Sequence, residues 1–293
     1  MKIGFIGLGN LGMPIAKNLL AAHKEIFVYN RSFYKTKTLI DDGAIACQTV
    51  KELAQQCDIV FSIVSDDNAM KEITLGEDGI AMNLKDGGIH ASISTILPAT
   101  ANELAKKHQL FHTEYVAIPV MGRPDAARSR QLNFLISGAD KAVETIKPLL
   151  PDLGAATIWE FGQEAGAANV AKLCNNFLIA STLESIAEGV TLAKKSGIST
   201  AQWMKMVTGT FLNSPLHNIY GNIILNEAFT PAGFSLRLGL KDTNLVLEQA
   251  ATANLPMELA QLIEKRMNRS VANGLAEHDW CSITLDVQSG NPL

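Results

Sequence analysis

The chain is short of cysteine, of net charge and of long apolar runs, and each shortage closes a class of function. Its four cysteines, Cys47, Cys57, Cys174 and Cys281, form no C-x-x-C and no metal-type cluster. They read as reduced, mostly packed thiols of a cytoplasmic protein, with neither a disulfide framework nor a metal site expected. A formal net charge of −4, with no block of like charge, gives no electrostatic reason to expect nucleic acid. No uninterrupted apolar stretch approaches the roughly 20 residues of a membrane helix, so no membrane partner is expected. The basic and apolar start imitates a secretory signal, but Gly7, Gly9, Asn10, Gly12 and Pro14 interrupt any apolar core. His108 and His112 stand four apart, yet Gln109-Leu110-Phe111 between them reads as the passage from a helix end into a strand, which turns the two rings apart. No internal repeat or low-complexity segment is seen. What is present is a globular chain of 293 residues, 47% hydrophobic, enough for one large or two ordinary domains.

The opening Met1-Lys2-Ile3-Gly4-Phe5-Ile6-Gly7-Leu8-Gly9-Asn10-Leu11-Gly12 runs an apolar strand into G-x-G-x-x-G and on into a helical pattern over Met13 to Ala22. Gly7 permits the tight turn, Gly9 lets the backbone approach a pyrophosphate, and Gly12 lets the helix pack close to the sheet. The helix N-terminus offers N–H groups and a positive dipole end to phosphates, and Pro14 is tolerated in the first turn. Gly7, Gly9, Asn10, Leu11 and Gly12 are therefore the expected pyrophosphate-binding residues. The plainer reading is a purely structural glycine turn.

Strand-like runs at Ile3–Ile6, Ile26–Tyr29, Ile59–Ile63, Gly88–Ser92, Tyr115–Pro119 and Phe134–Ser137 alternate with helical candidates Lys35–Asp42, Val50–Gln56, Asn68–Thr74 and Pro98–Lys107. That alternation predicts a mostly parallel sheet flanked by helices. Around Trp159–Gly162 the pattern changes, and from Glu164 onward almost no strand signal remains. Gly166 to Lys195 has no proline and one interior glycine, Gly189, and predicts one helix of roughly thirty residues ended by Ser196-Gly197. Such a helix suits a bridge between domains and a dimer interface; the plainer reading is a bundle helix kinked at Gly189. Further helices are expected over Thr200–Thr208, Leu216–Asn226, Ser235–Ala253, Pro256–Asn273 and near His278–Leu285. The expected fold is an α/β Rossmann-type N-terminal domain, residues 1–162, and a second, all-α C-terminal domain, residues 163–293, linked by the long helix.

In dinucleotide-binding domains that take NAD, an acid at the end of the second strand binds the adenosine ribose hydroxyls. This chain has Val28-Tyr29-Asn30-Arg31-Ser32 there. Arg31 suits a 2′-phosphate through paired, charge-assisted hydrogen bonds, and the missing carboxylate removes a repulsion. NADP(H) is preferred, with Asn30, Arg31 and Ser32 at the adenosine end. The alternative is an Arg31 that stacks on adenine and accepts NAD as well.

Four motifs in order resemble the β-hydroxyacid dehydrogenases, the family of 3-hydroxyisobutyrate dehydrogenase, 6-phosphogluconate dehydrogenase and the small-aldehyde reductases. Gly4-Phe5-Ile6-Gly7-Leu8-Gly9-Asn10-Leu11-Gly12-Met13-Pro14 is close to the family's opening, and Ser92-Ile93-Ser94-Thr95-Ile96 resembles its D-x-S-T segment with Ser92 for the aspartate. Gly162 to Asn176 resembles the family's G-x-G-x-x-x-K-x-x-N-N in Lys172, Asn175 and Asn176, with Ala168 for the second glycine. Phe234 to Asp242 resembles its F-x-x-x-x-x-x-K-D segment. The resemblance implies that Ser94 and Thr95 lie between substrate and nicotinamide and that Val64 and Ser65 line the cofactor channel. It also implies that Phe234 lies near the nicotinamide, that Lys241 reaches the cofactor, that Asn176 orients the substrate and that Lys172 is the general acid/base. The residues agree: Lys172 and Asn176 share a helix face. A lysine on a partly desolvated face supplies both a proton and a positive charge to a developing alkoxide, and desolvation eases its service as a base in the reverse direction. The plainer readings are a solvated Lys172 and a surface Lys241–Asp242 pair.

The family's substrate-carboxylate loop reads P-V-S-G-G, but here it is Pro119-Val120-Met121-Gly122-Arg123. Either Arg123 makes a bidentate contact to a larger or differently placed anion, or Met121 makes a more apolar pocket; the plainer reading turns Arg123 to solvent. Ser94, Met121, Gly122, Arg123, Lys172 and Asn176 are the expected substrate-binding residues. The expected function is NADP(H)-linked hydride transfer to or from a small β-hydroxy acid, semialdehyde or keto acid, in a cytoplasmic homodimer or homotetramer. Imine reduction on the same fold and a non-catalytic NADPH-binding module are the alternatives.

Overall fold

The computed structural model describes residues 1–23 and 25–291. Its chain divides into two compact units, Met1–Lys172 and the residues from Leu173 onward.

The first unit is built around β1 (Ile3–Ile6), whose four residues are all buried, as expected of a strand covered on both faces. It is followed by α1 (Gly12–His23), β2 (Phe27–Tyr29), α2 (Lys37–Asp41), β3 (Ile45–Ala46), α3 (Val50–Gln56), β4 (Ile59–Ser62), α4 (Asp67–Thr74), α5 (Ile80–Asn83) and β5 (Ile89–Ser92). Next come α6 (Pro98–Gln109), β6 (Glu114–Ala117), β7 (Val120–Met121), α7 (Pro124–Arg128), β8 (Leu132–Gly138), α8 (Asp140–Ile146), α9 (Leu150–Leu153) and β9 (Ala155–Glu160). The sheet runs β3-β2-β1-β4-β5-β6-β8, with β7 and β9 also paired to β8. β1 to β6 are parallel, whereas β8 is antiparallel to β6 and β7.

Register aligns Ile6 with Ser62 and Ser62 with Ser92, so the loops after β1, β4 and β5 leave one edge of the sheet together. The sheet order reverses between β1 and β4, and in open α/β sheets ligands settle at such a switch point. The fold is the Rossmann type that the alternation predicts. β9, which pairs in parallel with β8, is not among the strand-like runs read from the sequence, and it ends where the pattern is expected to change. β9 is mostly exposed, so it lacks the buried apolar run that marks the inner strands.

Helix α10 (Ala167–Lys195) runs 29 residues without interruption and crosses from the first unit into the second. Gly189 is a packing position: a Cβ there would meet the Trp203 ring at 2.6 Å. The second unit continues with α11 (Thr200–Thr208), α12 (Pro215–Leu225), α13 (Leu236–Thr252), α14 (Glu258–Ser270) and α15 (Ile283–Ser289). Its only strand-like feature among the described residues is an isolated bridge between Ser235 and Asp279. Leu183, Ile186, Val190, Met204, Leu236, Ile263 and Met267 form its core around Trp280, whose indole N–H donates to Tyr220 Oη at 2.8 Å.

Candidate active site

At the first βα turn the backbone leaves no choice of residue. Gly7 adopts φ +100°, and a Cβ there would lie 1.9 Å from the Ile63 carbonyl oxygen. A Cβ on Gly12 would lie 2.0 Å from the Gly7 carbonyl oxygen. Gly9 is different: it is exposed and a Cβ would meet nothing within 4 Å, so the space beside the N-terminus of α1 is open. Open space, bare backbone and a helix N-terminus suit a pyrophosphate. Asn10 is exposed and Leu11 half-buried in the same turn. Asn30 braces the turn, its Oδ1 accepting from Leu8 N at 2.8 Å and its Nδ2 donating to the Ser32 carbonyl at 3.0 Å. Arg31 beside it is exposed and Ser32 half-buried.

The loops after β4 and β5 are tied to each other. Ser94 Oγ accepts from Val64 N at 2.7 Å, and Ser94 is only 2% exposed, so its hydroxyl is a brace as well as a candidate contact. Ser65 Oγ donates to Asp66, which caps α4 by accepting from Ala69 N. Thr95 is half-buried. Met121 ends β7 and packs into a cluster with Val64, Ile96, Ala168 and Ala171, an apolar floor under the start of α10. Gly122 follows at φ +146°, and Arg123, half-buried, is the residue that precedes α7. Lys172 is buried, 9% exposed.

In the second unit, Asn176 Nδ2 donates to Asp242 Oδ2 at 2.6 Å, and Lys241 Nζ pairs with Asp242 Oδ1 at 2.7 Å. Asp242, 3% exposed, thus holds both the α10 asparagine and the α13 lysine, and the K-D pair is no loose surface pair. A small cavity lined by Asn176, Asp242, Thr243 and Trp280 adjoins it. Phe234 is half-buried, edge-on to the Trp280 ring with centroids 4.9 Å apart. Sequence reasoning gave Asp242 no role beyond its place in the K-D segment. Its signal was present in the K-D dipeptide, but its partner Asn176 is 66 positions away.

His108 and His112 diverge at the end of α6, where His112 takes φ +53°. His108 joins a buried chain instead, running from Ser62 Oγ to His90 at 2.7 Å, His90 to His108 at 3.1 Å and His108 to Thr113 at 2.8 Å. Burial pushes both imidazoles down, His108 to about 3, so both are neutral. Burial also lifts the Cys47 thiol to about 11 and the Cys57 thiol to about 12, which makes them poor nucleophiles.

Residues 2–162 match the model of the NAD binding domain of 6-phosphogluconate dehydrogenase, and residues 166–285 match that described as NAD-binding of NADP-dependent 3-hydroxyisobutyrate dehydrogenase. The chain belongs to the β-hydroxyacid dehydrogenase family. Among its relatives, the uncharacterized oxidoreductase YfjR of Bacillus subtilis is 39% identical over 97% of this chain and 98% of its own. The 2-hydroxy-3-oxopropionate reductase of Escherichia coli is 28% identical over 97% of this chain and 96% of its own. The solved structure of Psf3 in complex with NADP+ and 2-OPP superposes with a TM-score of 0.85 at 25% identity, covering 97% of this chain and 99% of that one. As a member of the family, the chain is an NAD(P)-dependent oxidoreductase of the hydroxyacid dehydrogenase kind.

Proposed function

We propose that the chain is an NADPH-dependent reductase of a small aldehyde or keto acid, which in reverse oxidises the β-hydroxy acid, with Lys172 as general acid and base. The observation that carries this reading is a lysine only 9% exposed on α10, one turn before an asparagine whose amide is fixed by a buried carboxylate. When bound, the nicotinamide supplies a hydride to the carbonyl carbon. Lys172 gives a proton from Nζ to the carbonyl oxygen as negative charge develops there, leaving a neutral amine and the hydroxy acid. Asn176, its amide N–H held by Asp242, orients the substrate; Lys241, Phe234, Thr95, Val64 and Ser65 contact the cofactor. Gly7, Gly9, Asn10, Leu11 and Gly12 take the pyrophosphate.

Arg31, exposed two residues after β2 and flanked in sequence by Asn30 and Ser32 rather than an acid, supports the preference for the 2′-phosphate of NADPH. Ser94, Met121, Gly122 and Arg123 form the substrate end. Leu178 and Leu192 on α10, 62% and 69% exposed, and Phe211, 95% exposed, support association into a homodimer or homotetramer. Four free cysteines, three of them buried, support a reducing, cytoplasmic setting.

The test follows NADPH and NADH oxidation against a panel of small semialdehydes, keto acids and cyclic imines, with Lys172→Ala beside the wild type. NADPH-linked turnover of an acidic aldehyde, lost in the variant, is the expected result. NADPH binding without turnover of any carbonyl compound overturns the reading, and turnover of an imine alone moves imine reduction to the front.

A further inference from the structure

Asn169 lies in the first turn of α10, three residues before Lys172, and is 1% exposed. Its Nδ2 donates to the carbonyl oxygens of Ser94, at 3.5 Å, and Ile96, at 3.4 Å. Those contacts fix which way the amide faces, because turning it over would set its oxygen against two carbonyl oxygens. Oδ1 therefore lies on the side away from the loop, buried and without a hydrogen-bond partner. A buried acceptor left unpaired is costly, and native proteins retain few of them.

The matching donor stands one turn along. Residues three apart share a helix face, and an ammonium carries three N–H donors on a flexible stem. Lys172 is itself buried, so its charged form needs acceptors from the protein.

We propose that Asn169 is a positioning residue for Lys172: its Oδ1 accepts a hydrogen bond from the Lys172 ammonium in the proton-donating form, while its Nδ2 holds the loop carrying Ser94 and Thr95. One buried amide thereby sets the proton donor against the loop expected to flank the reacting atoms. The inference rests on Lys172 being the proton donor.

The test is the pH profile of kcat/KM for aldehyde reduction in the wild type, Asn169→Ala, Asn169→Asp and Lys172→Ala, with NADPH affinity and thermal melts recorded for each. Reduction needs the ammonium, so the rate falls as pH rises through the titration of Lys172. Removing the acceptor favours the neutral amine and moves that limb to lower pH by about one unit in Asn169→Ala. Asn169→Asp keeps an oxygen toward Lys172, whether its carboxyl is ionised or holds a proton toward the loop carbonyls, so its limb stays at the wild-type pH or above. A merely structural role would lower rate or melting temperature in both variants and leave the limb in place. Asn169→Leu, which fills the volume without an acceptor, replaces the alanine variant should that fail to fold. An unmoved limb in Asn169→Ala with an inactive Lys172→Ala overturns the Asn169 assignment alone. Full activity in Lys172→Ala overturns the proton-donor reading and this inference with it.

Discussion

Glu184→Gln reads the buried charge cluster of the second unit directly. Glu184, on α10, is 3% exposed; its Oε1 accepts from Arg266 Nε at 2.5 Å and its Oε2 has no hydrogen-bond partner. Arg266 also meets Asp286 at 3.1 Å and Glu188 at 3.4 Å, so one guanidinium is divided among three carboxylates. Burial outweighs the attraction of Arg266 and pushes the Glu184 carboxyl from its ordinary 4.5 up to about 7. The folded state therefore holds this proton more tightly than the unfolded chain does. The stabilisation is complete below about pH 4.5 and is lost as pH rises through about 7, a swing of roughly 3 kcal/mol. Glutamine keeps the shape of the protonated acid and cannot titrate. Urea unfolding between about pH 5 and pH 8 measures the gap between variant and wild type, in which other titrating groups cancel. A Trp159→Phe background leaves Trp203 and Trp280 as fluorescent reporters of the second unit. The wild type should lose roughly 2 to 3 kcal/mol relative to Glu184→Gln across that range. A gap that stays constant with pH refutes the reasoning.

The first unit should respond in the opposite sense. His108 is held down to about 3, so the unfolded chain binds its proton more readily; stability is present above about pH 6.5 and falls by about 2 kcal/mol by pH 5, an effect that His108→Gln should remove from an acid unfolding series. Gly12→Ala places a Cβ 2.0 Å from the Gly7 carbonyl oxygen, so it should lower the melting temperature and weaken NADPH binding, measured by calorimetry. Arg31→Ala should weaken NADPH by about 10- to 100-fold while leaving NADH within about twofold, and equal losses for both cofactors would remove Arg31 from the 2′-phosphate. Asp242→Asn should reduce kcat without loss of NADPH affinity if its chief service is to hold Asn176, and a loss confined to NADPH affinity would assign it to Lys241 instead.

The parts of the molecule written in short-range pattern were legible. Val50–Gln56 and Thr200–Thr208 form as helices at the limits their periodicity sets, and the glycines of the first turn sit where backbone crowding requires them. Elements whose stability comes from a neighbour were not. β9 pairs at one edge of β8 with most of its side chains exposed, and Val271–Leu275 forms a wide turn after α14 with Gly274 at φ +87°. Buried polar networks were invisible for a stronger reason: Glu184 and Arg266 are 82 positions apart, and Asn169 meets its carbonyls across more than 70. Composition gives no sign that such distant polar side chains satisfy one another. The motif containing Lys172 was legible, but the burial of Lys172 and Asn169 and the hold of the Asn169 amide on the Ser94 and Ile96 carbonyls were not.

The central claim is that Lys172 delivers the proton while hydride enters the carbonyl. Mixing the preformed NADPH complex with a small acidic aldehyde and following a single turnover by nicotinamide absorbance tests it most directly. Lys172→Ala should slow hydride transfer by about 10²- to 10⁴-fold with NADPH affinity unchanged. Hydride transfer within a few-fold of the wild-type rate in that variant would contradict the claim.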